Sequence, residues 1–350
     1  MRAVRCHQFA GTDEQGKPTE KPIPLREVLS LDEIDNPVLR DNEVLIDTHY
    51  AGIQYPDALQ AMGLYQERPA LPYVPGMDAT GIVKAYGKNV QGVETGDRVV
   101  AQMRIGALAE EIAVDASTVW KVPDHVDLSA CANLGRNYFA AYHSLKVIGE
   151  IKNGDLVLVD GASGGVGMAA IQLAKAMGAK VIGGVSTEEK ARYATEAGAD
   201  QVFCYGRDRA SYQDFKKAVR LASRELGHPE GVDLVVDMVQ GELFEAALVS
   251  CVRPLGKLAL VGFTAGQKPI RPGILLIKQA AAVGSLWGPW AKSNPEKHEQ
   301  HVAEILSFLA DGSIQPKAAR TFELSEYVKA FELFENNQGR GNTVVKIGSE

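Results

Sequence analysis

The sequence predicts an α/β protein: a doubly wound, six-stranded parallel sheet with a second domain that is irregular and mostly β. Three observations carry this. Short apolar, β-branched runs alternate with helical stretches from residue 156 to residue 287, and such alternation needs crossover connections, which build a parallel sheet. A glycine-rich stretch, Asp160-Gly161-Ala162-Ser163-Gly164-Gly165-Val166-Gly167, separates the first apolar run from the first helical one. Before residue 126 the chain is rich in Gly, Pro and Val in short alternating runs, the pattern of strands bounded by turns.

The 350 residues suit two domains, and 45% hydrophobic with 23% charged residues is ordinary globular composition, which excludes disordered, collagen-like and coiled-coil chains. Glycine stands out at 35 residues, above the roughly 7% average. A net charge of −7 without a dense basic run argues against a nucleic-acid or anionic-membrane surface, so a small-molecule partner is expected. Cys6, Cys131, Cys204 and Cys251 are far apart and form no C-x-x-C pair, which reads as core thiols rather than a disulfide framework or zinc cluster. The start, Met1-Arg-Ala-Val-Arg-Cys-His7, has no apolar signal core and the apolar stretches break early, so a cytoplasmic protein is expected.

In the N-terminal part, strands are expected at 43–49, 81–84 and 97–102. The stretch from Leu128 to Ile148 contains Ala and Leu and no Pro, and it reads as a helix crossing a domain boundary. Strands follow at 156–160, 180–185, 201–204, 232–237, 257–261 and 281–287. Helices lie between them at 166–178, 188–198, 208–226, 241–252 and 273–279. Six such strands make one Rossmann fold. The tail adds helices near 295–311 and 325–337 and a closing strand at 342–347. A lone strand needs a partner, so it is expected to return to the N-terminal β domain.

The glycine-rich stretch has the G-x-G-x-x-G form with Ala162 at its first glycine. Gly164 lets the backbone approach a pyrophosphate, Gly167 lets helix and strand pack closely, and the helix N-terminus offers free N–H groups. A ribose-binding carboxylate is expected about 20 residues further on, but Ser186 stands there, with Lys190 one helical turn later. An ammonium at that place suits a 2′-phosphate, so NADPH is the expected cofactor, the alternative for Lys190 being a solvated helix lysine.

With these residues in view, the sequence resembles the medium-chain dehydrogenase/reductase superfamily, and within it the zinc-independent quinone oxidoreductase (zeta-crystallin-like) group. The matching segments run in order along nearly the whole chain: Ala51-Gly-Ile-Gln-Tyr-Pro-Asp57 with Gly63-Leu-Tyr65, Pro75-Gly-Met-Asp-Ala-Thr-Gly81, Gly96-Asp-Arg-Val99, Asn137-Tyr138, Gly161–Gly167, Val235-Val-Asp237, Gly262-Phe263 and Gly339-Arg-Gly-Asn342. The resemblance implies a GroES-like catalytic domain at 1–126 and 292–350 interrupted by a Rossmann NADP-binding domain at 127–291. It also implies Ala162, Ser163, Gly164, Gly165, Val166 and Gly167 around the pyrophosphate and Ser186, Lys190 and Tyr205 around the 2′-phosphate. Phe263, Thr264 and Asn342 are implied on the nicotinamide side, and Val239 is a further cofactor-binding candidate.

The usual zinc ligands of zinc-dependent relatives would fall on Gln54, Met77 and Arg136, none of them a zinc ligand, so no metal site is expected. His298 and His301 are expected to be solvated. Without a metal, the chemistry implied is hydride addition to an electron-poor acceptor, a quinone or an α,β-unsaturated carbonyl. Tyr65, Asn137 and Tyr138 are candidates to hydrogen-bond the acceptor oxygen, the other reading being a loop tyrosine that caps the cleft for Tyr65 and helix packing for Asn137 and Tyr138. Gln54, a further catalytic candidate implied near the nicotinamide and substrate, stands where the family usually has Asn, and Ala140 where Thr is common. Asp57 reads as structural. Trp287 is a candidate for the substrate mouth, and the apolar sixth strand is expected to join a second copy edge to edge, giving a homodimer. Two alternatives stay open: an acryloyl-CoA-type enoyl thioester reductase, with Arg68 or Arg136 meeting the CoA, and a nucleotide-binding sensor without turnover.

Overall fold

A computed structural model describes residues 1–13, 15–206, 208–336 and 338–348, the side chain of residue 246 aside. The chain forms two compact units, Met1–Arg136 with Pro316–Glu350, and Asn137–Gln315; residues 349 and 350 of the expected C-terminal segment lie outside the described residues.

In the second unit the strand Leu156–Val159 is buried along its whole length, as an apolar run covered on both faces of a parallel sheet must be. Strands Lys180–Val185, Gln201–Cys204, Val232–Asp237, Val252–Leu260 and Ala281–Gly284 complete the sheet. Numbered along the unit, they lie in the order 3-2-1-4-5-6, every pair parallel. The two halves diverge at the neighbouring first and fourth strands, so a crevice opens at their carboxyl ends. Leu156, Leu158, Ile182, Phe215 and Leu258 share the core beneath.

Two expected features of this unit differ. The sixth strand ends at Gly284, and Trp287 opens a helix, Trp287–Ser293; its ring packs on Phe139 and His298 at centroid distances of 5.4 and 5.3 Å. His298 and His301 are likewise half-buried in aromatic contacts, His301 stacking on Trp290 at 5.1 Å. These rings seat the helix Pro295–Ala310 on Phe139–Tyr142. That packing keeps residues 292–315 in the second unit, and the breaks fall at 136/137 and 315/316 where 126/127 and 291/292 are expected.

The first unit carries a seven-stranded sheet. Glu43–Ile53 pairs antiparallel with Asp78–Tyr86, Glu111–Asp115 and Asn342–Lys346. The closing strand therefore does return to the N-terminal β domain, and a strand not foreseen, Ala318–Glu323, lies parallel beside it. Val44, Ile46, Ile53, Leu108 and Phe331 share its core. The short helix Tyr55–Ala61, also unforeseen, follows the long strand directly.

Candidate functional site

The expected pyrophosphate loop leaves the first strand of the parallel sheet at Asp160 and enters the helix Gly165–Ala176 through Gly164. Gly161 turns the chain with φ +57. Ala162 donates its N–H to the Gly184 carbonyl at 3.1 Å, and Ala162 and Ser163 are buried. Close approach explains two of the glycines. A Cβ on Gly167 would stand 2.4 Å from the Gly161 carbonyl oxygen, and one on Gly165 would stand 2.2 Å from Asn137 Nδ2. At Gly164 the nearest atom would be 3.4 Å away, so the space there is open. The first N–H groups of the helix, at Gly165, Val166 and Gly167, have no intrahelical acceptor. An open concave turn with unsatisfied donors and a helix dipole fits a dinucleotide pyrophosphate.

At the carboxyl end of the second strand, Lys190 Nζ donates to Ser186 Oγ at 3.2 Å. Thr187 caps the helix Glu188–Glu196 between them. The ammonium and hydroxyl thus stand together, as a phosphate monoester requires. Tyr205, expected near the 2′-phosphate, lies just beyond the third strand. It is buried, its ring edge-on to Phe215 at 5.4 Å, and its hydroxyl meets the Gly161 N–H near Asp160 and Asp237. Burial, with both carboxyls nearby, holds that phenol protonated far above its ordinary range.

Val239 packs on the same loop, its Cγ2 lying 3.3 Å from the place of a Gly161 Cβ. Thr264 and Ala265 donate their N–H groups to the Met238 and Val239 carbonyls at 3.3 and 3.0 Å, and Phe263 is half-exposed beside them. Gly161, Val239, Phe263 and Thr264 are therefore gathered at the strand ends. The turn is held by two acids: Asp160 Oδ1 accepts the Met238 N–H at 2.6 Å, and Asp237 Oδ1 accepts those of Val239 and Gln240 at 3.1 and 2.9 Å. Asp160 opens the glycine-rich stretch and Asp237 closes Val235-Val-Asp237, but no motif pairs them. The signal that finds them is an Asp at the end of each of two strands that the sheet order makes neighbours.

Asn137 is buried against Gly165, the pair joining a catalytic candidate to a cofactor candidate. Tyr138 is buried too, and its hydroxyl donates to Gln172 Oε1 at 2.6 Å, on the loop's own helix. That bond favours the packing reading of Tyr138.

Three candidates lie in the first unit. Tyr65 sits half-buried on the irregular stretch after the Tyr55–Ala61 helix. Asn342 starts the closing strand and donates to the Lys317 carbonyl at 3.2 Å. Gln54 precedes the Tyr55–Ala61 helix; its N–H goes to Asp57 Oδ2 at 2.8 Å and its side-chain amide to Asp78 Oδ2 at 2.9 Å. The Arg136 N–H reaches the same Asp78 oxygen at 2.8 Å, while the Arg136 guanidinium contacts the Met77 sulfur. The three positions considered for metal ligands are thus gathered around two buried acids. Burial pushes Asp57 and Asp78 up to about 7 against the pull of the Arg136 charge. Asp57 Oδ1, Asp78 Oδ1 and Arg136 Nε are buried with no hydrogen-bond partner among the described residues. This charged cluster escaped the sequence reading, apart from the structural role of Asp57, because the contacts Gln54–Asp78, Arg136–Asp78 and Arg136–Met77 that assemble it span 24, 58 and 59 residues.

Among the described residues no group of three or more His, Cys, Asp or Glu could hold a metal ion, and no helix is long and apolar enough to cross a membrane.

Two family models match the chain: an alcohol dehydrogenase GroES-like domain over residues 40–124 and a zinc-binding dehydrogenase over residues 165–307. The sequence is 32% identical to quinone oxidoreductase-like protein 2 of Bos taurus over 92% of this chain and 90% of that protein. It is 31% identical to the quinone oxidoreductase of Homo sapiens over 99% and 98%. Among solved structures, the Escherichia coli quinone oxidoreductase complexed with NADPH is similar over 99% of this chain and 100% of that one, with 27% identity and a TM-score of 0.82.

Proposed function

The chain belongs to the medium-chain dehydrogenase/reductase superfamily, in its quinone oxidoreductase-like group, and from that premise we propose that it passes hydride to a quinone or an α,β-unsaturated carbonyl without a zinc ion. It is an NADPH oxidoreductase. When bound, NADPH supplies the hydride. The observation that carries the zinc-free reading is the Gln54–Met77–Asp78–Arg136 cluster. A guanidinium donates hydrogen bonds only and keeps its charge, so at the Met77 sulfur it opposes a second cation.

With no metal to polarise a carbonyl, the favoured acceptor is one whose conjugation already spreads the developing charge onto oxygen. Asn137 and Tyr65 are assigned to donate hydrogen bonds to that oxygen. Tyr138, held by Gln172, positions the loop helix, and Gln54 orients Asp78. The N–H groups of Gly165, Val166 and Gly167, with Ser163 beside them, receive the pyrophosphate, Gly164 leaving it room and Ala162 fixing the turn. Ser186 and Lys190 bind the 2′-phosphate, while Tyr205 buttresses the loop from below. Val239, Phe263, Thr264 and Asn342 are assigned to the nicotinamide side. Arg68 lies over the Phe9 ring at 4.5 Å and donates to Thr12, and the Arg136 guanidinium is held at the Met77 sulfur, so both cations named for the enoyl thioester alternative are already engaged.

A homodimer through the sixth strand is supported by an edge paired, among the described residues, only with Val252–Leu260, beside exposed Leu276, Ile277 and Leu286. The unpaired cysteines suit a reducing compartment such as the cytoplasm.

NADPH consumption with a panel of quinones, cyclic enones, an acryloyl thioester and a saturated ketone tests the reading. Turnover of quinones or enones with none of the saturated ketone is expected. Tight NADPH binding with no turnover at all would replace the enzyme by the sensor, and preference for the thioester would select the alternative.

A further inference from the structure

Asp160 and Asp237 stand at the carboxyl ends of adjacent parallel strands, each one residue beyond the paired Val159 and Val236. Both are wholly buried. One oxygen of each is satisfied by the N–H groups of the Met238–Gln240 turn. The other oxygen of each, Oδ2, meets no donor among the described residues, although the two carboxyls are in hydrogen-bond contact with one another. Two carboxylates cannot satisfy each other in that arrangement, and side by side in a dry site they repel. One proton resolves both difficulties, because a carboxylic acid O–H donates to a carboxylate in a short, strong bond. Burial and the neighbouring Asp237 charge hold Asp160 well above the ordinary carboxylate range, while the bond from Asp160 pulls Asp237 back against its own burial. Tyr205, just beyond the third strand, faces the pair, and Tyr212 on the Arg209–Glu225 helix stands behind it.

We propose that Asp160 and Asp237 share one proton, and that this hydrogen bond positions the NADPH pocket by tying the 161–167 loop to the 238–240 turn. Gly161 follows Asp160 directly and packs on Met238 and Val239. Thr264 and Ala265 bond to the carbonyls of those same two residues. Loss of the proton would therefore loosen three segments at once. It would also leave two negative charges rather than one below the helix N-terminus that receives the pyrophosphate. By linkage, NADPH affinity falls as pH rises through the pair's second ionisation. Both acids are positioning residues, and the inference rests on NADPH binding, independent of which acceptor is reduced.

The test is NADPH titration followed by fluorescence from about pH 7 to about pH 9.5, above the range in which the 2′-phosphate ionises. The wild-type Kd is expected to rise about tenfold, the worth of one charged hydrogen bond. Asp160→Asn donates to Asp237 with no proton to lose, so its Kd should stay flat near the wild-type value at neutral pH. Asp237→Asn serves as the second variant should the first fail to fold. Infrared difference spectra of the NADPH-free protein provide a separate readout: the carbonyl band of a protonated carboxyl should be present in wild type and lost in Asp160→Asn. A flat wild-type profile, an unchanged slope in the Asn variants, or no band removed by the substitution would overturn the proposal. Failure to bind NADPH at any pH would instead strike the functional reading, and the infrared result would still decide whether the proton is shared.

Discussion

Gly165→Ala is the substitution whose outcome the structure specifies most closely. The added Cβ would lie 2.2 Å from Nδ2 of Asn137, where ordinary van der Waals contact begins near 3.4 Å. One partner must move by about 1.2 Å, and Asn137 is buried with little room to turn. Forcing a methyl into a packed site costs about 1–3 kcal/mol. The small gain in helix propensity from removing a glycine, at most about 1 kcal/mol, does not offset this. The middle of that range less the gain is a net loss of about 1 kcal/mol, which corresponds to a fall in Tm of roughly 2–4 °C for a domain of this size. Gly164→Ala is the control. Its φ and ψ of −81 and 167 accept an alanine, and its Cβ meets nothing closer than the Gly161 carbonyl oxygen at 3.4 Å. The NADPH-free Tm should stay within about 1 °C of wild type, yet NADPH should bind at least about tenfold more weakly because the methyl occupies the pyrophosphate's approach. Thermal melts of both variants, with NADPH titrations beside them, separate the two effects. Combining Gly165→Ala with Asn137→Ala should restore most of the lost Tm, since the clash is pairwise. A wild-type Tm for Gly165→Ala, or the same loss with and without Asn137, would refute the reasoning.

Other perturbations have equally defined outcomes. If the adjoining Ser186 and Lys190 side chains hold the 2′-phosphate as proposed, alike in ground and transition states, Lys190→Ala should raise KM for NADPH more than it lowers kcat and narrow the preference for NADPH over NADH; initial rates with both cofactors check this. Burial among the aromatic rings lowers His143 and His298 to about 4, so the folded state binds fewer protons than the unfolded one below about pH 6.5. Stability should fall as pH drops from there toward 4, and His298→Phe should flatten that slope in denaturant melts. Asp78 behaves oppositely: its raised pKa of about 7 means the contribution is present in acid and lost as pH rises from about 4 through 7. Asp78→Asn, keeping an oxygen for Gln54 and Arg136, should reduce the alkaline loss of Tm.

Much of the second unit was legible because its signals are local. Four consecutive buried apolar residues, a glycine turn and a helix announce themselves within about 20 residues, and topology rules then order six strands with little freedom. The 318–323 strand was missed because Ala318-Ala-Arg-Thr-Phe-Glu323 shows no clear apolar alternation. Its pairing with the closing strand defines it instead. Trp287 was misread for the same reason in reverse: it extends an apolar run, but the ring prefers Phe139 and His298, almost 150 residues away in the first case. The polar clusters were the least legible. The Gln54–Asp78 bond and the Asp160–Asp237 contact join residues that no period or motif relates, so only the folded sheets bring them together.

Reduction of a conjugated acceptor by NADPH without zinc is the step on which the proposed function stands. The most direct measurement is the rate of NADPH oxidation with a quinone or cyclic enone after exhaustive dialysis against a chelator, with the zinc content of the same sample determined. The account predicts an unchanged rate at far less than one zinc per chain. A lost rate that returns when zinc is added back would contradict it.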